Sequence, residues 1–359
     1  SDVYKRQIWK QLLIFFFPIM VGTLFQQLYN TVDAIIVGRF VGKQALASVG
    51  GSAAVLTNFV IGFFTGLSAG ATVIISQFYG AKNLKQLSKG LHTAYAFSIT
   101  VSILISVIGW FSTPALLHLL KTPSDVIPDS ILYLRIYFLG MLFTLTYNMG
   151  SSIMRAIGDS RRPLIYLVIC CVINIILDIL FVIVFHMGIA GAAIATVISQ
   201  GVSAILVTRS LMKSYGILKL ELRAIRFHGA LLKSELKIGL PGGIQSFGYS
   251  ISNIIIQAVI NNFGTDTAAA WAAYGKLDAI FWTVCGSFGI AITTFAGQNF
   301  GARKFNRVKK SVRVCLAMAL TVCGSLIVFL MIFCRPLYHI FTTCLLYTSA
   351  AADDSFRVD

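Results

Sequence analysis

Long apolar stretches alternate with short polar connections along most of the chain. A membrane-spanning helix needs about 20 mostly apolar residues. Nine stretches meet this requirement, over roughly 12–37, 53–78, 92–117, 131–154, 164–187, 189–211, 238–260, 268–295 and 312–342. They are continuously apolar and lack the alternation of barrel strands, so the pattern predicts an all-α polytopic membrane protein.

The composition supports this prediction. Hydrophobic residues make up 57% of the chain and charged residues 12%, whereas soluble domains carry about a quarter charged residues. The formal charge of +16 on its own would fit a nucleic-acid-binding protein. The positions of the charges exclude that class, because the basic residues are concentrated in every second connection.

The basic connections predict the orientation of the chain. They follow the second, fourth, sixth and eighth stretches and include Lys82, Lys85, Lys89, Arg155, Arg161, Arg162, Arg209, Lys213, Lys219, Arg223, Arg226, Lys233, Lys237, Arg303, Lys304, Arg307, Lys309, Lys310 and Arg313. The alternate connections hold only Arg39, Lys43 and Lys121. By the positive-inside rule, the basic connections and the N-terminus face the cytoplasm.

Both ends of the chain look foreign to it. The opening SDVYKRQ and the late CLLYTS can be encoded by one short DNA element read on opposite strands, as in a sequencing adapter. We therefore expect residues 1–7 and 344–359 to be adapter-derived, and the native part to be a fragment that spans 8–343.

A repeat divides the native part into two units. Gln77-Phe-Tyr-Gly80-Ala81-Lys82 recurs as Gln298-Asn-Phe-Gly301-Ala302-Arg303, and Pro18 recurs as Pro241. Each pair lies on the same side of the membrane, which is typical of transporters with two parallel halves. We expect a first lobe over 8–211, a linker over 212–236 and a partial second lobe over 237–343, with three further helices in an intact twelve-helix protein.

Two acidic residues lie within the apolar stretches of the first half, where charges are costly and usually functional. Asp33 lies near the end of the first stretch and Asp178 lies within the fifth. Asn174 shares a helix face with Asp178, and the short turn at 187–191 places Thr196 of the sixth stretch at similar depth. These residues can form a site for a proton or a monovalent cation. Alternatively, Asp33 caps its helix near the lipid headgroups, and Asn174 bonds to another helix.

These segments resemble the multidrug and toxic compound extrusion (MATE) family. The resemblance rests on LYNTVDAIIVGRFVGKQALASVG, SQFYGAKN, MRAIGDSRRP, NIILD, GAAIAT and IGLPGGIQ. It implies a two-lobed, twelve-helix antiporter, of which nine helices are present here. Such a protein exports organic, often cationic, compounds against an inward proton or sodium gradient.

The resemblance also implies roles for individual residues. Its first-lobe cation site falls on Asp33, Asn174, Asp178 and Thr196. Pro18 matches a proline at which the first helix bends, and Tyr29 matches a polar neighbour of the acid. Gln27, Asn148 and Ser151 are candidate cavity residues. Arg155, Gly158, Asp159 and Arg162 match a loop motif that we interpret as structural, with Gly158 and Asp159 in a turn and Pro163 in the first turn of the next helix.

The second lobe departs from part of the family. Some members carry an acid midway along the seventh helix, whereas 244–260 contains none. Asp278 is the only candidate acid that we assign to the spans of that half, either in coupling or along the substrate path.

Other functions fit the sequence less well. The main alternative is a flippase of lipid-linked oligosaccharide precursors, which needs a cationic cavity. Intramembrane cations are nearly limited to Arg135 and Lys276. We expect no enzyme activity and no cofactor, because the sequence lacks H-E-x-x-H, G-x-S-x-G and Walker A motifs. Composition alone leaves a passive channel open, but the repeat favours alternating access. We expect a monomer in the bacterial inner membrane with small-molecule substrates, and neither a structural metal nor nucleic acid as a partner.

Overall fold

The computed structural model describes residues 7–120, 122–213, 219–261 and 265–333. The regular elements in these ranges are all helical. The helices are α1 (Ile8–Ile36), α2 (Lys43–Gly50), α3 (Ser52–Gly80), α4 (Leu84–Leu119), α5 (Ile127–Leu139), α6 (Met141–Ala156), α7 (Arg161–Asp178), α8 (Gly188–Lys213), α9 (Gly229–Asn261), α10 (Thr265–Gly301) and α11 (Phe305–Ile332). Five-residue and six-residue π-helical segments extend α1 over Val37–Val41 and α7 over Ile179–Val184.

Each of the nine predicted stretches falls on a helix or, for the fourth, on the pair α5 and α6, with the end of the ninth, 334–342, outside the described residues. The predicted count of nine spans is not confirmed. Seven helices within the described ranges are long and apolar enough to cross a membrane, and the pair α5 and α6 makes eight if it forms one span. The helix α9 is not among them, because Gly, Ser, Gln and Asn residues interrupt its apolar sequence after Ile238. The three additional helices of a twelve-helix protein stay a prediction.

The predicted fourth span is bent. The helices α5 and α6 meet at 49° across Gly140, whose backbone N–H donates to the carbonyl groups of Ile136 and Tyr137. Val197 of α8 packs against this point, so that a Cβ on residue 140 would come within 2.5 Å of its Cγ2. The sequence pattern missed the bend because both halves are apolar.

The loop between α6 and α7 has the structural role predicted for it. Gly158 has a φ of 101°, which favours glycine. Asp159 Oδ1 accepts the backbone N–H groups of Arg161 and Arg162, at 3.2 and 3.1 Å, and so caps the start of α7. Pro163 lies in the first turn of α7. The turn and helix start predicted from this motif are confirmed.

The two copies of the repeat fold in the same way. After α3, the backbone N–H groups of residues 81, 82 and 83 bond to the carbonyls of 77, 79 and 78. After α10, the N–H groups of 302, 303 and 304 bond to the carbonyls of 298, 300 and 299. Lys82 and Arg303 both have left-handed backbone angles, with φ of 56° and 58°.

The repeated segments also pack against each other. A Cβ on Gly80 would overlap the carbonyl oxygen of Gln298, and a Cβ on Gly301 would overlap the carbonyl oxygen of Gln77. Only glycine permits such a close approach of two backbones. Gln298 Nε2 also donates to the Ala156 carbonyl at 2.7 Å. The helices α3 and α10 are therefore in reciprocal contact at the ends that carry the basic connections.

The helix α9 contacts α3 closely as well. Gly66 and Gly70 of α3 face Gly239, Gly242 and Gly243 of α9, with no room for a side chain between the backbones at Gly66, Gly70 or Gly239. Helices α9 and α10, which follow the predicted linker, thus contact the earlier helices mainly through α3, with a further contact between α1 and α10.

We predict that Gly80→Ala and Gly301→Ala each destabilise this conformation by about 1–3 kcal/mol, the cost of overpacking a tight contact. Gly324→Ala is the matched control, since α11 leaves open space around that residue. The melting temperature of the purified protein measures the effect. Equal melting temperatures for Gly301→Ala and Gly324→Ala would show that the reciprocal contact does not stabilise the fold.

Candidate functional site

The structure buries all four residues of the predicted cation site. Asn174 and Asp178 are fully buried, Thr196 is 5% exposed and Asp33 is 8% exposed. The helix α1 packs against α7, and α7 packs against α8. The Asp33 and Asp178 carboxyl groups interact electrostatically.

Both acids lie beside a change in helix type. The Asp33 carbonyl accepts the N–H of Val37, the first residue of one π-helical segment. Asp178 immediately precedes the other segment. The two π-helical segments contact each other and α8. Such segments are rare and are frequent at functional sites, because the extra residue in the turn changes side-chain direction.

The polar atoms of this cluster are largely without hydrogen-bond partners within the described residues. They include Asp33 Oδ1, both carboxyl oxygens of Asp178 and both amide atoms of Asn174. The Thr196 hydroxyl donates to the Ala192 carbonyl at 3.0 Å, which leaves its oxygen able to accept. Buried polar groups are usually satisfied in native proteins, and exceptions call for an explanation such as a bound ion or proton.

Basic side chains do not compensate the two acids in the described part of the chain. The salt bridge found there joins Arg162 to Asp159, at 3.4 Å. Arg135, the intramembrane arginine of α5, stacks on the Trp110 ring with its Cζ 5.2 Å from the ring centre. Two carboxylates that lack a counter-charge at membrane depth are unstable unless a proton or a cation joins them.

Tyrosines surround the acids. Tyr29, which the resemblance singled out, is buried and interacts electrostatically with Asp33. Tyr133 of α5 lies near both acids, and its ring stacks on Tyr137 with 6.0 Å between centres. Tyr133 and Tyr137 are not among the residues predicted from the sequence. Their i, i+4 spacing puts them on one face of α5 and was the available signal.

The other predicted cavity residues lie outside this cluster. Pro18 is half-buried inside α1, and Gln27 is exposed. Asn148 is half-buried and Ser151 is buried on α6. Asn148 and Ser151 lie next to Tyr147 on α6, and the Tyr147 hydroxyl donates to the Pro163 carbonyl. At a rise of 1.5 Å per residue, Pro163 lies about 22 Å from Asp178 along α7. The region around Tyr147 is therefore distant from the acidic cluster.

The structure describes two acidic side chains on α9 and α10, Glu235 and Asp278. Asp278 is half-buried on α10 and accepts a hydrogen bond from the Tyr274 hydroxyl at 3.4 Å. Glu235 was placed in the linker, but α9 already begins at Gly229. Its side chain is 4% exposed, and Oε1 has no hydrogen-bond partner in the part of the chain described. Glu235 is thus a buried acid that precedes the predicted seventh span, and the role of Asp278 stays a prediction.

Apolar helices, a repeated pair of segments in contact and buried acids without counter-charge define a helical membrane transporter. The comparisons agree with this class. The sequence profile of the MatE family matches residues 18–180 and 241–351. The chain therefore belongs to the MatE family of multidrug and toxic compound extrusion transporters.

Several relatives carry multidrug names. The chain is 32% identical over 313 residues to the probable multidrug resistance protein YpnP of Bacillus subtilis, covering 86% of this chain and 68% of that protein. It is 31% identical over 346 residues to the probable multidrug resistance protein YoeA of the same organism, covering 94% and 74%. The multidrug export protein MepA of Staphylococcus aureus is 21% identical over 327 residues, covering 89% and 71%.

Solved structures share the fold. An outward-facing multidrug resistance MATE transporter of the MOP superfamily superposes with a TM-score of 0.90 at 21% identity, covering 98% of this chain and 79% of that chain. MATE structures described as bent and as straight both give 0.89 at 21% identity, and cover 99% and 98% of this chain and 78% of theirs. The fold similarity thus does not distinguish these two conformations.

We predict that Asp178→Asn raises the free energy of unfolding by about 1 kcal/mol or more, because burying an amide costs less than burying an uncompensated carboxylate. Asp125→Asn is the control, since Asp125 is exposed in a loop. Thermal unfolding in one detergent and buffer measures both variants. A melting temperature for Asp178→Asn below that of the control would show that the carboxyl group has a stabilising partner.

Proposed function

We propose that this chain acts as a secondary active multidrug exporter, which moves organic, often cationic, compounds out of the cell while protons or sodium ions enter. The observation that carries the proposal is the buried pair Asp33 and Asp178, which lacks hydrogen-bond partners and basic neighbours in the described residues. The multidrug names of YpnP, YoeA and MepA support the substrate class. They do not favour the lipid-flippase alternative.

The chemistry of the cluster suits a proton or a small hard cation. Asp33, Asp178, Asn174 and Thr196 offer carboxyl, amide and hydroxyl oxygens, which are ligands that hard cations prefer. A single proton or Na⁺ would cancel one of the two negative charges. The same oxygens could therefore serve either coupling ion.

Coupling follows from the helices on which these residues lie. Asp33 belongs to α1, and its site partners belong to α7 and α8. A bound proton or cation changes the relative energy of arrangements in which α1 lies near or away from α7. An ion with unequal affinity for the two arrangements shifts their populations. Pro18 removes one backbone hydrogen bond from α1 and gives that helix a point at which to bend.

An exposed aromatic face on α10 suits an organic cation. Tyr274, Asp278 and Trp282 follow each other at intervals of four residues, and Trp282 contacts Tyr249 of α9 edge to face, at 5.5 Å between ring centres. Aromatic rings attract organic cations through their π-electrons, and Asp278 adds a negative charge. We assign this face to the substrate path, and Asp278 to substrate binding rather than ion coupling.

The membrane orientation completes the proposal. The connections after α3, α6, α8 and α10 carry most of the basic residues. By the positive-inside rule, these connections and the N-terminus face the cytoplasm of a bacterial inner membrane. Compounds would then leave through the opposite side.

We predict that Asp33→Asn and Asp178→Asn each reduce gradient-driven drug efflux to the level of vesicles without the protein, because neither amide can exchange a proton. Everted vesicles that contain the full-length transporter and carry an imposed proton or sodium gradient measure this transport as drug uptake into the vesicle and identify the ion. Asp125→Asn is the control and should transport normally. Undiminished efflux in both test variants would contradict the proposed coupling site.

We predict that Asp278→Asn and Trp282→Ala raise the apparent KM for a cationic drug by about two- to fivefold, the size of a cation–π contact at an exposed site, while efflux stays dependent on the gradient. Phe111→Ala, at an exposed aromatic residue of α4, is the control. Concentration-dependent efflux by the full-length transporter gives the KM. An unchanged KM for the two α10 variants would remove this face from the substrate path.

A further inference from the structure

A cavity of about 380 Å³ lies between the first turns of α4 and the connection that leads to α9. Its charged and titratable lining consists of Lys89 and His92 from α4, with Lys219, Glu221, Arg226 and His228 from the connection. Three permanent positive charges thus face one carboxylate. The volume lies at the lower end of the range of small-ligand sites.

Hydrogen bonds from α4 hold the connection in place. His92 is 5% exposed, and its Nε2 accepts the Glu221 backbone N–H at 3.1 Å. Its Nδ1 lies 2.7 Å from the Ser88 carbonyl oxygen and is therefore the protonated nitrogen. Thr93, fully buried, accepts the backbone N–H of His228 at 3.3 Å. The cavity wall is therefore fixed by specific contacts.

The same contacts determine which nitrogen of His228 is available. The Thr93 hydroxyl donates to the Lys89 carbonyl at 2.8 Å. The Thr93 oxygen then accepts from His228 Nδ1, 3.1 Å away. Nδ1 carries the proton in the neutral ring, and Nε2 is the basic nitrogen. Nε2 is buried without a hydrogen-bond partner in the described part of the chain.

The charges around His228 create a positive field. Lys89 and His92 face it from α4, and Lys219, Glu221 and Arg226 surround it from the connection. Lys233 is the first charged residue of α9. Burial lowers the pKa of His228, and the positive charges of Arg226 and Lys89 and the neighbouring His92 lower it further. A cavity that resists a further positive charge attracts an anion.

We propose that this cavity binds a phosphate-bearing anion, either a soluble phosphate or the headgroup of an anionic lipid. Lysine and arginine side chains are the usual ligands of phosphate. Lysine acts as a point charge, and the arginine guanidinium donates two parallel hydrogen bonds. A bound anion would favour protonation of His228 at Nε2, which then becomes a donor. Binding would also hold the connection against α4.

Sulfate is the probe for the first test, because it is a tetrahedral dianion that does not titrate near neutral pH. Calorimetry on the purified chain at constant ionic strength measures its affinity. We expect Lys89→Gln combined with Arg226→Gln to weaken sulfate binding by about tenfold or more, given the strength of hydrogen bonds between charged groups. Lys309→Gln, at an exposed residue of α11, should bind like the original chain. An equal affinity in the double variant and this control would overturn the proposal.

The pH profile tests the role of His228. Sulfate affinity should fall as pH rises from about 5.5 to 8, the range in which histidine loses its charge. The decrease should be lost in His228→Gln and kept in His118→Gln, at the opposite end of α4. An unchanged profile in His228→Gln would overturn the protonation step.

Two kinds of nanodisc distinguish the sources of the anion. If a lipid headgroup occupies the cavity, discs that contain phosphatidylglycerol should weaken sulfate binding relative to discs of phosphatidylcholine alone, and the double variant should abolish the difference. If the ligand is soluble, affinity should be equal in both discs, and inorganic phosphate should compete with sulfate. Sulfate binding that neither phosphatidylglycerol nor inorganic phosphate reduces would overturn the proposal.

Discussion

Asp33 and Asp178, buried without a counter-charge among the described residues, are the constraint at the place where α1, α5, α7 and α8 pack together. A carboxylate in low dielectric is stable only with a partner. The described residues give Asp33 and Asp178 tyrosines, an asparagine and a threonine, but no lysine or arginine. The fold therefore holds a group whose charge must be completed from outside the chain. Under the proposed antiport, that unmet requirement would provide the binding energy for the coupling ion.

A second constraint acts where the repeated segments meet. Gly80 and Gly301 let the ends of α3 and α10 come into direct backbone contact. The glycines of α9 allow a similar backbone contact between α9 and α3. At these points the helices meet backbone to backbone, while Phe59 of α3 and Phe247 of α9 add a ring contact at 5.0 Å between centres. Glu235 is buried where α9 meets α3 and α4. Opening this contact would expose it to water.

The sequence predicted the parts of this structure that depend on local pattern. Apolar stretches located the helices, and the i, i+4 relation of Asn174 and Asp178 located one face of the site. The repeat predicted the matching loops after α3 and α10. The bend at Gly140 and the burial of Glu235 on α9 depend on packing between helices that are distant in sequence. Periodicity does not encode such packing. The spacing of Tyr133 and Tyr137 indicated a shared face of α5, but only the packing of α5 against its neighbours places that face beside the acids.

The state of the buried pair can be measured directly by infrared difference spectroscopy. In sodium-free buffer at neutral pH, the account predicts the C=O stretching band of a protonated carboxylic acid, which disappears in both Asp33→Asn and Asp178→Asn. Spectra of the original chain without such a band, or with a band that survives both substitutions, would contradict the claim that a proton neutralises this buried pair.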